Sequence, residues 1–266
     1  MRTRASGQVG PQAEKREPRP NGGAPPVRRG QVRVERGAKR VRAYLGGAVA
    51  VDSIAPLLVW EVPYYPTYFF PERDVRAELV AEGAMDLHSP SRGDAKTLSV
   101  VAGGSRAAGA AARYEDSPIE ELRGTIRFQW DAMEAWFEED EQVYTHPRDP
   151  YTRVDILASS RNVRVLLDDL VLADSSSPRL LFETGVRTRH YLPRTHVRMD
   201  LLERSPTVTH CPYKGRAETW SVRVGDVLHD DLAWSYPAPL AESQKVAGLI
   251  AFYDEKLDVE VDGVLQ

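Results

Sequence analysis

The chain contains itself twice, and this duplication constrains the fold more than any other feature, because a recurring unit must bury its apolar face the same way both times. Sliding the sequence on itself by 122 residues, without gaps, lays 41–61 over 163–183. Val41, Arg42, Leu45, Val49, Asp52, Ser53, Pro56, Leu58 and Glu61 all recur. In the same register Pro71, Val75, Arg76 and Leu79 fall on Pro193, Val197, Arg198 and Leu201. His88, Pro90, Gly93, Ala95, Thr97, Ser99 and Val100 fall on His210, Pro212, Gly215, Ala217, Thr219, Ser221 and Val222. A shift of 124 carries Gly124, Ile126 and Phe128 onto Gly248, Ile250 and Phe252, so the second copy has gained two residues in a loop. The repeat predicts two tandem domains, 41–141 and 161–266, joined by a proline- and charge-rich linker at 142–160.

Each copy reads as mainly β. Short β-rich runs at 57–60, 67–70 and 75–80, and again at 218–224, 231–236 and 248–254, are punctuated by Pro66, Pro71, Pro193 and Pro237, as at strand ends and edges. Gly46-Gly47 between two such runs suits a tight hairpin, since both glycines tolerate positive φ; Asp168-Asp169 takes that place in the second copy. The best helical stretches are 119–123 and 131–141, and neither resembles the repeated crossover helix of a parallel α/β sheet. The expected fold is therefore two compact antiparallel β domains with a few short helices, packed on each other through a shared apolar face.

Charge is uneven along the chain. Residues 1–40 hold eleven Lys or Arg against three Glu, a net +8, so with −4 overall the remainder carries −12. Five prolines and six glycines in that stretch, with few large apolar residues before Val32, predict a disordered basic tail. A nucleic-acid arm is the weaker reading of it, because the acidic remainder repels a phosphate backbone and no aromatic residue interleaves the arginines. No run approaches the ~18 apolar residues of a membrane helix, and no apolar h-region follows the first arginines, so a cytoplasmic location without membrane partners is expected. A single cysteine, Cys211, forbids an internal disulfide or a multi-cysteine zinc site.

Four segments carry a family resemblance: THCPYKGRAETWSV at 209–222, AWSYPAPL at 233–240, AGLIAFYDEKLDVEVDG at 247–263 and VWEVPYYPTYFFPERDVRAEL at 59–79. Together they resemble tandem members of the domain-of-unknown-function family number 427, across nearly everything after residue 40. The resemblance implies a small β-rich domain of tent-like kind and little about function. The family has carried a nucleotidyltransferase label, which these residues do not support: there is no Gly-Ser pair followed by spaced metal-binding aspartates, and no phosphate-cradling glycine loop. The first copy reads HSPSRGDAKTLSV where the second reads HCPYKGRAETWSV, so thiol, phenol, ammonium and indole are all replaced on one side.

These differences direct attention to the second copy. Cys211 with histidines elsewhere in the chain is a candidate nucleophile, although the adjacent His210 projects to the opposite face of an extended strand, and burial as a small apolar residue is the weightier reading. Lys214, after Pro212-Tyr213 and before Gly215, sits in a turn that fixes an ammonium and lets a ligand approach the glycine backbone. In 185–190, Arg187 and Arg189 share one face and His190 takes the other, where the first copy has Tyr65, Thr67 and Tyr68. This suggests a pocket for a small anionic molecule, with Lys214, Tyr213, Arg189 and His190 as ligand contacts and His210 beside them, weighed equally against surface salt bridging. Trp220, Trp234 and Tyr236 are core residues or the wall of that pocket, with core preferred. His190 and His196 offer only a weak metal pattern, and no cofactor motif is present. Whether the chain is an enzyme, a binding protein or a non-catalytic scaffold stays open at this point.

Overall fold

The computed structural model describes residues 31–266, so most of the stretch read as a disordered basic tail, 1–30, lies outside the described residues. Eleven strands are described in the first copy: β1 (Arg33–Arg36), β2 (Val41–Leu45), β3 (Ala48–Ser53), β4 (Leu57–Trp60), β5 (Thr67–Pro71), β6 (Glu78–Ser89), β7 (Gly93–Ala102), β8 (Ser105–Tyr114), β9 (Thr125–Phe128), β10 (Ala135–Glu138) and β11 (Glu141–Val143). The second copy repeats them one for one as β12 (Val154–Ala158), β13 (Val163–Leu167), β14 (Leu170–Ser175), β15 (Arg179–Glu183), β16 (Arg189–Leu192), β17 (Leu202–Cys211), β18 (Gly215–Val224), β19 (Val227–Ser235), β20 (Ile250–Phe252), β21 (Asp258–Val261) and β22 (Val264–Leu265).

Each copy folds into a seven-stranded and a four-stranded antiparallel sheet. The strand orders, β1-β4-β5-β9-β8-β7-β6 with β11-β10-β2-β3 and β12-β15-β16-β20-β19-β18-β17 with β22-β21-β13-β14, are the same when the repeat is applied. Alternation explains the layering: Val163 and Val165 on β13 point inward while Arg164 pairs with Glu260. They meet Leu192, Val222 and Ile250 of the large sheet in a buried cluster between the sheets, as Val41 and Ala43 meet Phe70, Val100 and Ile126 in the first copy. A second cluster lies on the other face of each large sheet, with Phe69, Ala112 and Tyr114 in the first copy and Tyr191, Trp234 and Tyr236 in the second.

The structure departs from the sequence reading in five places. The stretch 131–141 is not a helix: it is a single 3-10 turn, Trp130–Ala132, followed by the β10–β11 hairpin. Trp136 and Glu138 alternate inward there against Ala43 and Val41 of β2, so sheet pairing outweighs helix propensity. At 119–123 only one turn forms, Glu120–Leu122. The first domain begins before residue 41, because β1 adds to the edge of β4 with Val34 opposite Val59. The linker is shorter than 142–160, since β11 and β12 take its ends.

The fifth departure concerns how the copies meet. Each of the four buried apolar clusters is confined to one copy, so no shared apolar core joins them among the described residues. The segment 144–153 joins them instead. Asp149 accepts from Trp60 Nε1 of the first copy (3.3 Å), while its backbone N–H donates to the Tyr213 hydroxyl of the second (2.8 Å). His146 stacks on Tyr65 at 3.9 Å, and Tyr144 stacks on His210 at 5.0 Å.

Candidate functional site

The strands β17 and β18 form a hairpin in which Cys211 lies opposite Gly215. Gly215 closes the turn at a φ of 91°, a region open to glycine and costly for other residues. The turn directs Lys214 onto the outer face of the large sheet, where its Nζ donates to Glu183 Oε2 at the end of β15. Both side chains are only 11% exposed. Beside them, Tyr236 follows β19, packs with Tyr191 and Trp234, and is 5% exposed; half-buried Cys211 packs against the same cluster.

The repeat lays an equivalent triad in the first copy: Glu61, Arg92 and Tyr114 stand 122 residues before Glu183, Lys214 and Tyr236. There one guanidinium nitrogen, Arg92 Nη1, reaches both Glu61 (2.7 Å) and the Tyr114 hydroxyl (2.9 Å). Arg127 also approaches Glu61 at 3.4 Å. The second copy has a lysine in place of Arg92 and Ala251 in place of Arg127. Lys214 bonds only the carboxylate, and the Tyr236 hydroxyl has no hydrogen-bond partner among the described residues. Burial pushes the Tyr236 phenol far up, so it is a protonated donor at neutral pH. Tyr191 is also pushed up by burial, and its hydroxyl accepts from Trp234 Nε1 at 3.1 Å. Tyr213 is pushed up to about 12, chiefly by burial, while its oxygen accepts from Asp149.

Arg189 lies on the same outer face, opposite Leu181, and most of the remaining candidates have partners of their own. Arg189 is held by Asp254 and Glu255, with its guanidinium 5.5 Å over Trp234, and Arg187 joins Asp254 from the same face. His190 is half-buried, and that burial lowers its pKa, so it is neutral at pH 7. His210 points away from the cluster to stack on Tyr144, and its carbonyl accepts from Thr145. No histidine hydrogen-bonds the Cys211 sulfur among the described residues, so the thiol has no base at hand. Trp220 belongs to the cluster between the sheets, its Nε1 donating to Ser235 Oγ at 3.3 Å. His196 Nδ1 is engaged by Ser175 Oγ at 2.8 Å, and among the described residues no three His, Cys, Asp or Glu converge as a metal site.

Lys214, Tyr213, Arg189, Trp234, Tyr236 and Cys211 are thus brought to one side of the second large sheet, while Trp220 lies on the other face and His210 turns outward. Sequence reasoning missed Glu183 as the partner of Lys214. The available clue was the identity of Glu61 and Glu183 within the repeat, beside a cation that changes between Arg92 and Lys214. It also missed Asp149, for which no sequence pattern gave notice.

The profile of a family described as a domain of unknown function (DUF427) matches the chain twice, over residues 33–139 and 155–263. These bounds take in β1 and β12 and leave out the joining segment. A search of curated proteins finds no match.

Proposed function

The chain belongs to that family as a tandem pair of its domains, and from this premise we propose that its second copy binds a small molecule through an acceptor oxygen held at Tyr236, beside Lys214 and Glu183. The observation that carries this reading is the difference between two equivalent phenols. Tyr114 has its hydroxyl taken by Arg92, whereas Tyr236, equally buried, has none of its hydrogen-bonding capacity used. The Tyr236 oxygen is not one of the buried polar atoms sealed off without a partner, so a ligand oxygen can reach it, and a hydrogen bond there is worth about 0.5–1.5 kcal/mol net.

The source of affinity differs from the one the sequence suggests. Lys214 and Arg189, the cations offered to an anion, each already meet a carboxylate. Recognition therefore rests on hydrogen bonds: the Tyr236 O–H donates to the ligand oxygen, and Lys214, which gives one N–H to Glu183, has two others to contribute. A carboxylate, phosphate or carbonyl oxygen satisfies this geometry, and an anionic ligand must in addition overcome Glu183.

The test is a thermal-shift and NMR titration of the full chain with acetate, acetamide and inorganic phosphate. At least one probe is expected to bind the wild type and Tyr114→Phe alike, and to lose at least tenfold in affinity with Tyr236→Phe. Equal binding by Tyr236→Phe, or no binding by any probe at millimolar concentration, overturns the reading.

A further inference from the structure

The first copy has a second unassigned feature, on its small sheet. The 3-10 turn Trp130–Ala132 lays the Trp130 indole flat on Trp136, with centroids 4.6 Å apart and planes within 4°. Trp136 is buried and fixed by donating its Nε1 to the Trp130 carbonyl (3.0 Å), so Trp130 is a supported platform that stays half-exposed. It lines an open groove of about 220 Å³ together with Asp131, Glu134 and Tyr144. Both carboxylates are exposed, and neither has a cationic partner among the described residues; Glu134 uses one oxygen to accept from the Gly47 N–H. No Lys or Arg lines the groove.

We infer that this groove is a binding site for a small organic cation of the alkylammonium class. An indole face attracts a cation through its quadrupole, by about 0.5–2 kcal/mol depending on desolvation. Two unpaired carboxylates beside it add charge attraction that a neutral ligand does not feel. The chain outside residues 1–40 carries −12, so the long-range field also favours a cation.

The second copy supplies an internal contrast. A groove beside the matching turn of the second copy, lined by 254–258, opens instead toward the β13–β14 hairpin at Leu166, Leu167 and Asp168. The 124-residue shift puts Asp254 where the first copy has Trp130 and Glu255 where it has Asp131. The platform is therefore absent, and Arg187 and Arg189 already occupy those two acids. One cation site per chain follows, in the first copy.

The probe is tetramethylammonium, which has no oxygen and so cannot report on Tyr236. The full chain has five tryptophans, whose indole N–H resonances are read by NMR and assigned with Trp130→Leu. Millimolar tetramethylammonium is expected to shift the Trp130 resonance saturably, while sodium chloride at equal ionic strength and tert-butanol, a neutral molecule of similar size, are not. The pair Asp131→Asn with Glu134→Gln, both on exposed positions, is expected to weaken binding at least fivefold with the fold intact. Equal response to tert-butanol would mean an apolar groove without charge recognition and would sink the inference, as would no saturable shift or an unaffected double variant.

Discussion

A lysine and an arginine at one position of the repeat leave one phenol bonded and its twin unbonded, because a guanidinium presents five N–H donors on a rigid fork and an ammonium is a compact point charge. Stability measurements separate the two. Tyr114→Phe removes a charge-assisted bond from Arg92 and is expected to cost about 1.5 kcal/mol, whereas Tyr236→Phe removes a hydroxyl that bonds nothing and is expected to change stability by less than about 0.5 kcal/mol. Urea unfolding of both variants checks this, and equal losses would contradict the asymmetry. A pH effect belongs to the same scale. The hydrogen bond from Arg189, with local backbone, holds the Glu255 carboxyl at about 2, against an ordinary 4.5. A carboxyl depressed on folding contributes stability that is complete above 4.5 and lost as pH falls toward 2. Glu255→Gln should flatten that part of the acid-denaturation profile, and an unchanged profile would show that the pair contributes nothing at this exposed position.

At the scale of elements, turns and strand spans were legible and helices were not. The Gly46-Gly47 hairpin forms as read, with φ of 60° and 71°, and Asp168 adopts 51° at the matching turn, a conformation aspartate tolerates. The two glycines are not equivalent, however. A Cβ on Gly46 would lie 2.6 Å from the Ala102 carbonyl oxygen, while one on Gly47 would meet nothing within 4 Å. Gly47→Ala is thus expected to cost about 1–2 kcal/mol, the left-handed penalty alone. Gly46→Ala should cost more, because backbone of the neighbouring hairpin must shift; thermal denaturation that ranks them the other way refutes the contact. The misread stretch 131–141 is rich in helix formers, and its pairing with β2 lies more than 90 residues away in sequence, as in Trp136 opposite Ala43. No local window contains that partner.

For the whole molecule, two closed cores and a polar joint replace the shared apolar face expected from the marginal size of each unit. Because no buried cluster crosses between copies, fragments 31–143 and 153–266 are each expected to fold when expressed alone, with β-type circular dichroism and a cooperative melt. A fragment that melts without cooperativity would show that the joint at 144–153 is required for folding. That joint also links the two proposed sites to one structural element. Tyr144 lines the first-copy groove, and Asp149 holds the Tyr213 hydroxyl next to Lys214.

Duplication, several strand spans and the hairpin turns were set down in the sequence itself, since repeated identities, period-two alternation and turn residues are one-dimensional patterns. The same reading located the turn at 212–215 and the opposite facing of His210 and Cys211. Only the tertiary structure decided which charges were already spoken for. Lys214 meets Glu183 from 31 residues away and Arg189 meets Asp254 from 65, contacts fixed by strand register across the sheet. The unused hydroxyl of Tyr236 follows from the same cause: whether a phenol meets a protein partner depends on the reach of a side chain from another strand, and spacing along the chain does not contain that distance.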